Sequence, residues 1–187
     1  MWTMIGRWKW FLVGALLGAL VLIVWFRSFL SLEMFADLGD RFPQATQARP
    51  RPEAFTLGDV TINGRTLKSI SVSEASRLIW QEHVPPHAWL DVTLGVREEV
   101  WTKPGDGVLF MVGVTSNGKY DELVSLVVNP SGNMADRQWY PLLLDLSPYA
   151  GQKVEIIFNT RAGVGAATPD NDLAVWGAPA IVTLQRP

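Results

Sequence analysis

The sequence predicts an all-β domain, a jelly-roll-like antiparallel β-sandwich, preceded by one N-terminal transmembrane α-helix. Three observations predict it. An uncharged apolar run, Trp10–Phe26, stands close to the N-terminus. Beyond residue 53, short segments of alternating apolar and polar residues recur between turns rich in Gly, Pro and Asn. That region has no long stretch with apolar residues at helical spacing, so the two layers that bury its strand faces are both sheets.

Composition bounds the rest. A chain of 187 residues allows one domain of ordinary size and a small appendage. The formal charge of −2 carries no basic excess for nucleic acid. Cysteine is absent, which excludes disulfides, thiolate catalysis and cysteine-ligated metal. Apolar residues make up 48% of the chain, enough for a core.

The first element is the anchor, residues 1–30 with their short cytoplasmic tail. Seventeen residues at ~1.5 Å each span roughly 26 Å, a little short of the hydrocarbon thickness. Lys9 and Arg27 close the gap by snorkelling. Trp2, Trp8, Trp10 and Trp25 stand at its two ends, where indoles favour the membrane interface. The rival is a cleaved signal peptide, which wants small residues after the apolar run. Here the run leaves through Trp25, Phe26 and Arg27, so the expectation is an uncleaved anchor. Arg7 and Lys9 orient the N-terminus to the cytoplasm, leaving the C-terminal domain in the periplasm or outside the cell, on a bacterial inner membrane. Gly14 and Gly18, with Ala15 and Ala19 beside them, form a small-residue stripe that would let another helix approach; the same spacing also arises by chance in anchors.

The second element covers 31–52. Leu30, Met34, Leu38 and Phe42 recur every four residues, which predicts a juxtamembrane helix ended by Gly39. Pro43–Pro52 then reads as an extended spacer. The domain is expected to start at 53 and run to 187.

The strands follow in order. Asn63-Gly64 between Asp59–Ile62 and Arg65–Ile70 is a hairpin signal, because both turn positions accept positive φ. Further strands are expected at Arg77–His83, Trp89–Val96, Val108–Thr115, Leu123–Asn129, Trp139–Leu146, Val154–Thr160 and Ala174–Leu184.

Four quoted segments carry a resemblance: Asp136-Arg137-Gln138-Trp139-Tyr140-Pro141, Leu144–Gln152, Val154–Phe158 and Trp176-Gly177-Ala178-Pro179. Together they resemble the C-terminal half of galactose-binding-like jelly-roll domains, which include carbohydrate-binding modules. The resemblance implies the fold much more than an activity. It agrees with the local chemistry. Asp145 and Ser147 are expected to turn onto backbone N–H groups, Gly151 to supply positive φ at a corner, and Trp139 and Trp176 to fill the space between sheets. The family often carries a structural calcium, and Asp170, Asn171 and Asp172 are the oxygen ligands it would use here; as plain turn residues they need no metal. No other cofactor is expected.

No catalytic constellation emerges. His83 and His87 flank Pro85-Pro86, which forbids the helix on which such a spacing binds metal. Glu98 and Glu99 are adjacent, so on a strand they face opposite ways. Trp89 and Trp101 are the candidate contacts for a ligand or partner, with Trp101 in a loop beside Lys103 and Pro104. Two readings result. In the first, the chain is a non-catalytic single-pass accessory subunit, docked on other membrane-protein subunits through its helix and outer domain. In the alternative, it is a membrane-tethered carbohydrate-binding module handling cell-surface glycan.

Overall fold

The computed structural model describes residues 31–73, 75–163 and 171–185. The expected anchor, with Trp8, Lys9, Trp10, Gly14, Ala15, Gly18, Ala19, Trp25 and Arg27, lies outside the described residues, as does Asp170. Among the described residues no helix is long and apolar enough to cross a membrane. Met34–Thr183 is one compact unit; Met1–Glu33 and Leu184–Pro187 make a second.

Among the described residues eleven strands form in chain order: β1 (Ser31–Asp37), β2 (Gln47–Arg49), β3 (Phe55–Ile62), β4 (Arg65–Val72), β5 (Ser76–His83), β6 (Ala88–Val96), β7 (Val108–Ser116), β8 (Lys119–Val128), β9 (Tyr140–Asp145), β10 (Lys153–Ala162) and β11 (Ala174–Gln185). They make the expected two-sheet sandwich. One sheet runs β3-β4-β11-β6-β9, with β1 also paired to β11; the other runs β2-β5-β10-β7-β8. From β2 to β11 every pairing is antiparallel. The β3–β4 hairpin turns at Asn63 (φ 49°) and Gly64 (φ 76°), the two left-handed positions its dipeptide was expected to supply.

The region 31–52 departs from expectation. Ser31–Asp37 is strand, not juxtamembrane helix. The four-residue apolar stripe coexists with a two-residue one, since Ala36 and Leu38 are both buried. A segment this short satisfies either period, and sheet pairing to β11 decides between them. Gly39 therefore lies in a turn after a strand instead of ending a helix. The Leu38 N–H donates to the Pro179 carbonyl at 2.9 Å. The Pro-rich stretch is likewise built into the sandwich. Pro43 and Pro52 open short 3-10 turns, and β2 lies between them as an edge strand on β5, where prolines without N–H groups are tolerated.

Between the sheets an aromatic stack sets the core. The Trp80 and Phe158 rings meet edge-on at 5.2 Å, Phe158 and Trp176 at 4.6 Å, and Phe110 and Trp176 edge-on at 5.0 Å. All four are almost fully buried. Each such ring removes roughly 150–250 Å² from water, at about 25 cal/mol per Å² of apolar area. The Trp176 Nε1–H is buried without an acceptor, a cost of about 1–3 kcal/mol that the ring packing outweighs.

Trp139 was expected in the same layer, but it sits in a separate cluster with Val60, Ile62 and Val175. Val175 neighbours the inward-facing Ala174 and Trp176 on β11, so this cluster lies on the outer side of its sheet. Trp139 fits there because Gly95 and Gly177 lack side chains: a Cβ at either would lie within about 3 Å of the indole. Its Nε1–H donates to the Arg65 carbonyl at 2.8 Å.

Candidate functional site

Turn residues behave largely as their chemistry predicted. Asp145 Oδ1 accepts the Ser147 N–H at 2.8 Å, and the Ser147 bonds hold this carboxyl below the usual aspartate range. Gly151 has φ 77°. Asp136 accepts from the Asn129 N–H at 2.7 Å and from the Tyr140 hydroxyl at 2.7 Å. Glu98 and Glu99 lie in a 3-10 turn instead of a strand. Glu98 accepts the Asn63 N–H at 2.5 Å, while Glu99 stands 3.7 Å from Arg97.

The two candidate tryptophans do not converge. Trp89 is the second residue of β6 and Trp101 lies past its end, on the order of 23 Å of strand away. Both are half-buried. The Trp101 Nε1–H donates to the Val96 carbonyl at 2.8 Å, and its ring carries the Arg137 guanidinium at 5.9 Å. Arg137 is itself tied to the Pro130 and Trp101 carbonyls at 3.0 and 3.1 Å. One face of the Trp101 ring is thus taken by Arg137.

An open cleft of about 520 Å³ lies elsewhere, on the outer face of the β2-β5-β10-β7-β8 sheet. Antiparallel register places its residues in rows across the strands. The first row runs Gln81, Glu155, Thr115, Tyr120. The next runs Ile79, Ile157, Gly113, Glu122, and the third runs Arg77, Asn159, Met111. Arg161 follows Asn159 two residues along β10. Ile79, Ile157 and Met111, with the buried Asn159 among them, make the floor; Arg77, Glu155, Glu122 and Arg161 rim it.

Tyr120 is the exposed aromatic of the cleft, at 45%. Its ring lies over Gly113, where β7 pairs irregularly with β8. Partial burial pushes the phenol up, Glu122 adds to this, and Arg77 and Arg161 oppose it, so all three charges stand near the ring. The Arg77 Nε–H donates to Asn159 Oδ1 at 2.7 Å, which fixes the guanidinium plane. A volume in the range of small-ligand sites, a mostly apolar floor, one aromatic face and converging donors and acceptors suit a polyhydroxylated ring. Composition gave no sign of this group. The signal present was the strict alternation of Glu155, Ile157, Asn159 and Arg161 on β10, which marks one outward face.

A second locus surrounds the expected calcium ligands. Asp172 is buried, and the Asn171 Nδ2–H donates to the Pro104 carbonyl at 2.9 Å. A cavity of about 10 Å³, room for one water or ion, is lined by Gly105, Gly107, Asn129, Ser131, Asn171 and Asp172. Between Gly105 and Gly107 both carboxylate oxygens of Asp106 are buried and, among the described residues, accept no hydrogen bond. A charge in that position demands a counter-charge. Among the described residues no group of three or more His, Asp or Glu gathers, so carbonyl oxygens would have to complete a shell of hard oxygen ligands. Asp106 was not among the expected ligands. His83 and His87 are both exposed, and His87 takes φ 57° in the turn after β5.

No family model matches the chain. It is 37% identical over 119 residues to an uncharacterized protein of Archaeoglobus fulgidus, a match that covers 60% of this chain and 28% of the relative. Among solved structures, a CBM51 module of Clostridium perfringens GH95, in complex with methyl-galactose, superposes at TM-score 0.54 and 14% identity, covering 79% of this chain and 99% of that module. The M60 catalytic domain of C. perfringens ZmpB with its two CBM51 domains matches at 0.56 and 14%, covering 82% of this chain and 15% of the other. Tandem CBM51 modules from the family 98 glycoside hydrolase of Streptococcus pneumoniae match at 0.52 and 12%, covering 79% and 46%. These likenesses establish the fold alone, an all-β antiparallel sandwich of two sheets.

Proposed function

We propose that the domain is a non-catalytic carbohydrate-binding module that holds a saccharide across the outer face of the β2-β5-β10-β7-β8 sheet. The observation that carries this is Tyr120, an exposed ring laid over Gly113 inside a cleft rimmed by Arg77, Arg161, Glu155 and Glu122. One pyranose face packs on the ring, and its hydroxyls meet the rim. Weak, specific retention of a glycan needs no nucleophile or base. The methyl-galactose bound by the C. perfringens module adds support through the shared fold alone.

The wider setting is part of the same proposal. Residues 10–26 tether the domain to a membrane, with the N-terminus cytoplasmic and the domain periplasmic or extracellular, acting in cell-surface glycan handling; the apolar run and Lys9 support this. The accessory-subunit reading rests on that same run, and the cleft gives the saccharide reading precedence. A structural calcium belongs to the proposal as well. Asp172, which lines the cavity, would hold it with neighbouring carbonyls, and its charge would offset the buried carboxylate of Asp106, which stands between the lining Gly105 and Gly107.

The test is glycan-array screening and calorimetric titration, including methyl-galactose, of the full chain in mild detergent. Binding that falls at least tenfold in Tyr120→Ala, with unchanged thermal stability, is expected. No binding to any glycan, together with co-extraction in a larger complex, overturns the reading in favour of the accessory subunit.

A further inference from the structure

The cleft is electrically lopsided. Its first two rows carry Glu155 and Glu122; its far end carries Arg77 and Arg161. The edge strand extends that far end. Arg49 of β2 lies directly opposite Arg77 of β5, so both side chains stand on the same sheet face. Arg77 in turn faces Asn159, and Arg161 is the diagonal neighbour two residues on, within about 8 Å. All three arginines are exposed. Among the described residues no ion pair within 4.0 Å involves Arg49, Arg77 or Arg161.

Like charges directly across two strands weaken a sheet. Three guanidinium groups gathered at one end, with no carboxylate paired to them among the described residues, are therefore unfavourable to the fold by itself. An anion bound there reverses the sign. Arg77 is prepared for it: Asn159 engages its Nε–H at 2.7 Å and leaves the terminal nitrogens free in a fixed plane. A planar fork of this kind matches carboxylate and sulfate oxygens in pairs. Glu122 and Glu155, at the other end, accept hydroxyl protons and repel a second anion.

We infer that the saccharide taken by this cleft is acidic, carrying a carboxylate or sulfate that lies against Arg49, Arg77 and Arg161 while a sugar ring stacks on Tyr120. The inference rests on the proposed saccharide site and names its ligand class. It also fixes a polarity: the anionic substituent points toward β2 and the β10 C-terminal end, the neutral hydroxyls toward Glu155.

The test compares three probes of equal length by calorimetry at low salt, using the full chain in mild detergent: an oligogalacturonate, a sulfated galactose oligomer and a neutral galactose oligomer. At least one anionic probe should bind tenfold or more tighter than the neutral one. That advantage should shrink with added salt. Arg161→Gln and Arg77→Gln should each remove most of it, while the neutral probe's weaker binding stays Tyr120-dependent. Which anionic probe prevails separates carboxylate from sulfate. Equal binding of neutral and anionic probes, lost in Tyr120→Ala, overturns the acidic-ligand inference alone. An anionic preference that survives both arginine substitutions also overturns it. Failure of every probe to bind overturns the saccharide site itself.

Discussion

Tyr120 occupies the space a side chain at position 113 would need. A Cβ on Gly113 would stand 2.4 Å from the ring's Cε2 and 2.5 Å from its hydroxyl. The glycine of β7 thus makes room for the β8 ring over the sheet, and the proposed stacking surface depends on that room.

Gly113→Ala should therefore act on binding more than on folding. The ring is exposed and can swing away, so the stability loss should sit at the low end of the ~1–3 kcal/mol typical of overpacking. Saccharide affinity should fall by a factor close to that of Tyr120→Ala. Thermal melts beside calorimetric titrations check both. A variant with intact affinity would show that the ring's seat is irrelevant.

Asp106 gives a prediction of opposite sign with and without metal. If calcium compensates its buried carboxylate, chelation with EDTA should lower the melting temperature, and Asp106→Asn should abolish that calcium dependence. Without a cation at the site, Asp106→Asn removes an unpaired buried charge, and the melting temperature should rise by an amount EDTA does not alter. Differential scanning calorimetry with added calcium or EDTA distinguishes the two.

Asp145 gives a pH signature. Its folded-state pKa is lowered by Ser147, first through the side-chain hydroxyl and then through the backbone N–H. A depressed carboxylate pKa contributes stability that is present above the unfolded value, about 3.9, and is lost as pH falls through the lower folded value. Ser147→Ala should shrink that acid-side loss and leave the melting temperature near neutrality slightly reduced. Melts taken from pH 2 to 7 on both proteins read the difference; an unchanged acid limb would show that the bond contributes nothing.

The candidate site was mostly invisible before folding. Trp101 drew attention as a loop indole, yet its N–H is committed to Val96 and its ring to Arg137. Tyr120 was ordinary by position, and Arg77, Glu155 and Arg161 were polar residues of two segments, β5 and β10. They become one site only because β5, β10, β7 and β8 pair side by side, which no local pattern encodes. The loop carboxylate of Asp106 was similarly silent, since its burial comes from chain segments distant in sequence.

What the sequence determined by itself was local. Period-two alternation, the Asn63-Gly64 turn and the Gly and Pro breaks set nine strands close to where they occur, because strand faces and turn dihedrals depend on neighbouring residues. Tertiary structure decided the rest. It drew Ser31–Asp37 and Gln47–Arg49 into the sheets, moved Trp139 to an outer cluster, and set three arginines at one end of a single face. The physical reason is that hydrogen-bonded pairing and shared burial between remote strands outweigh the weak preferences of short segments.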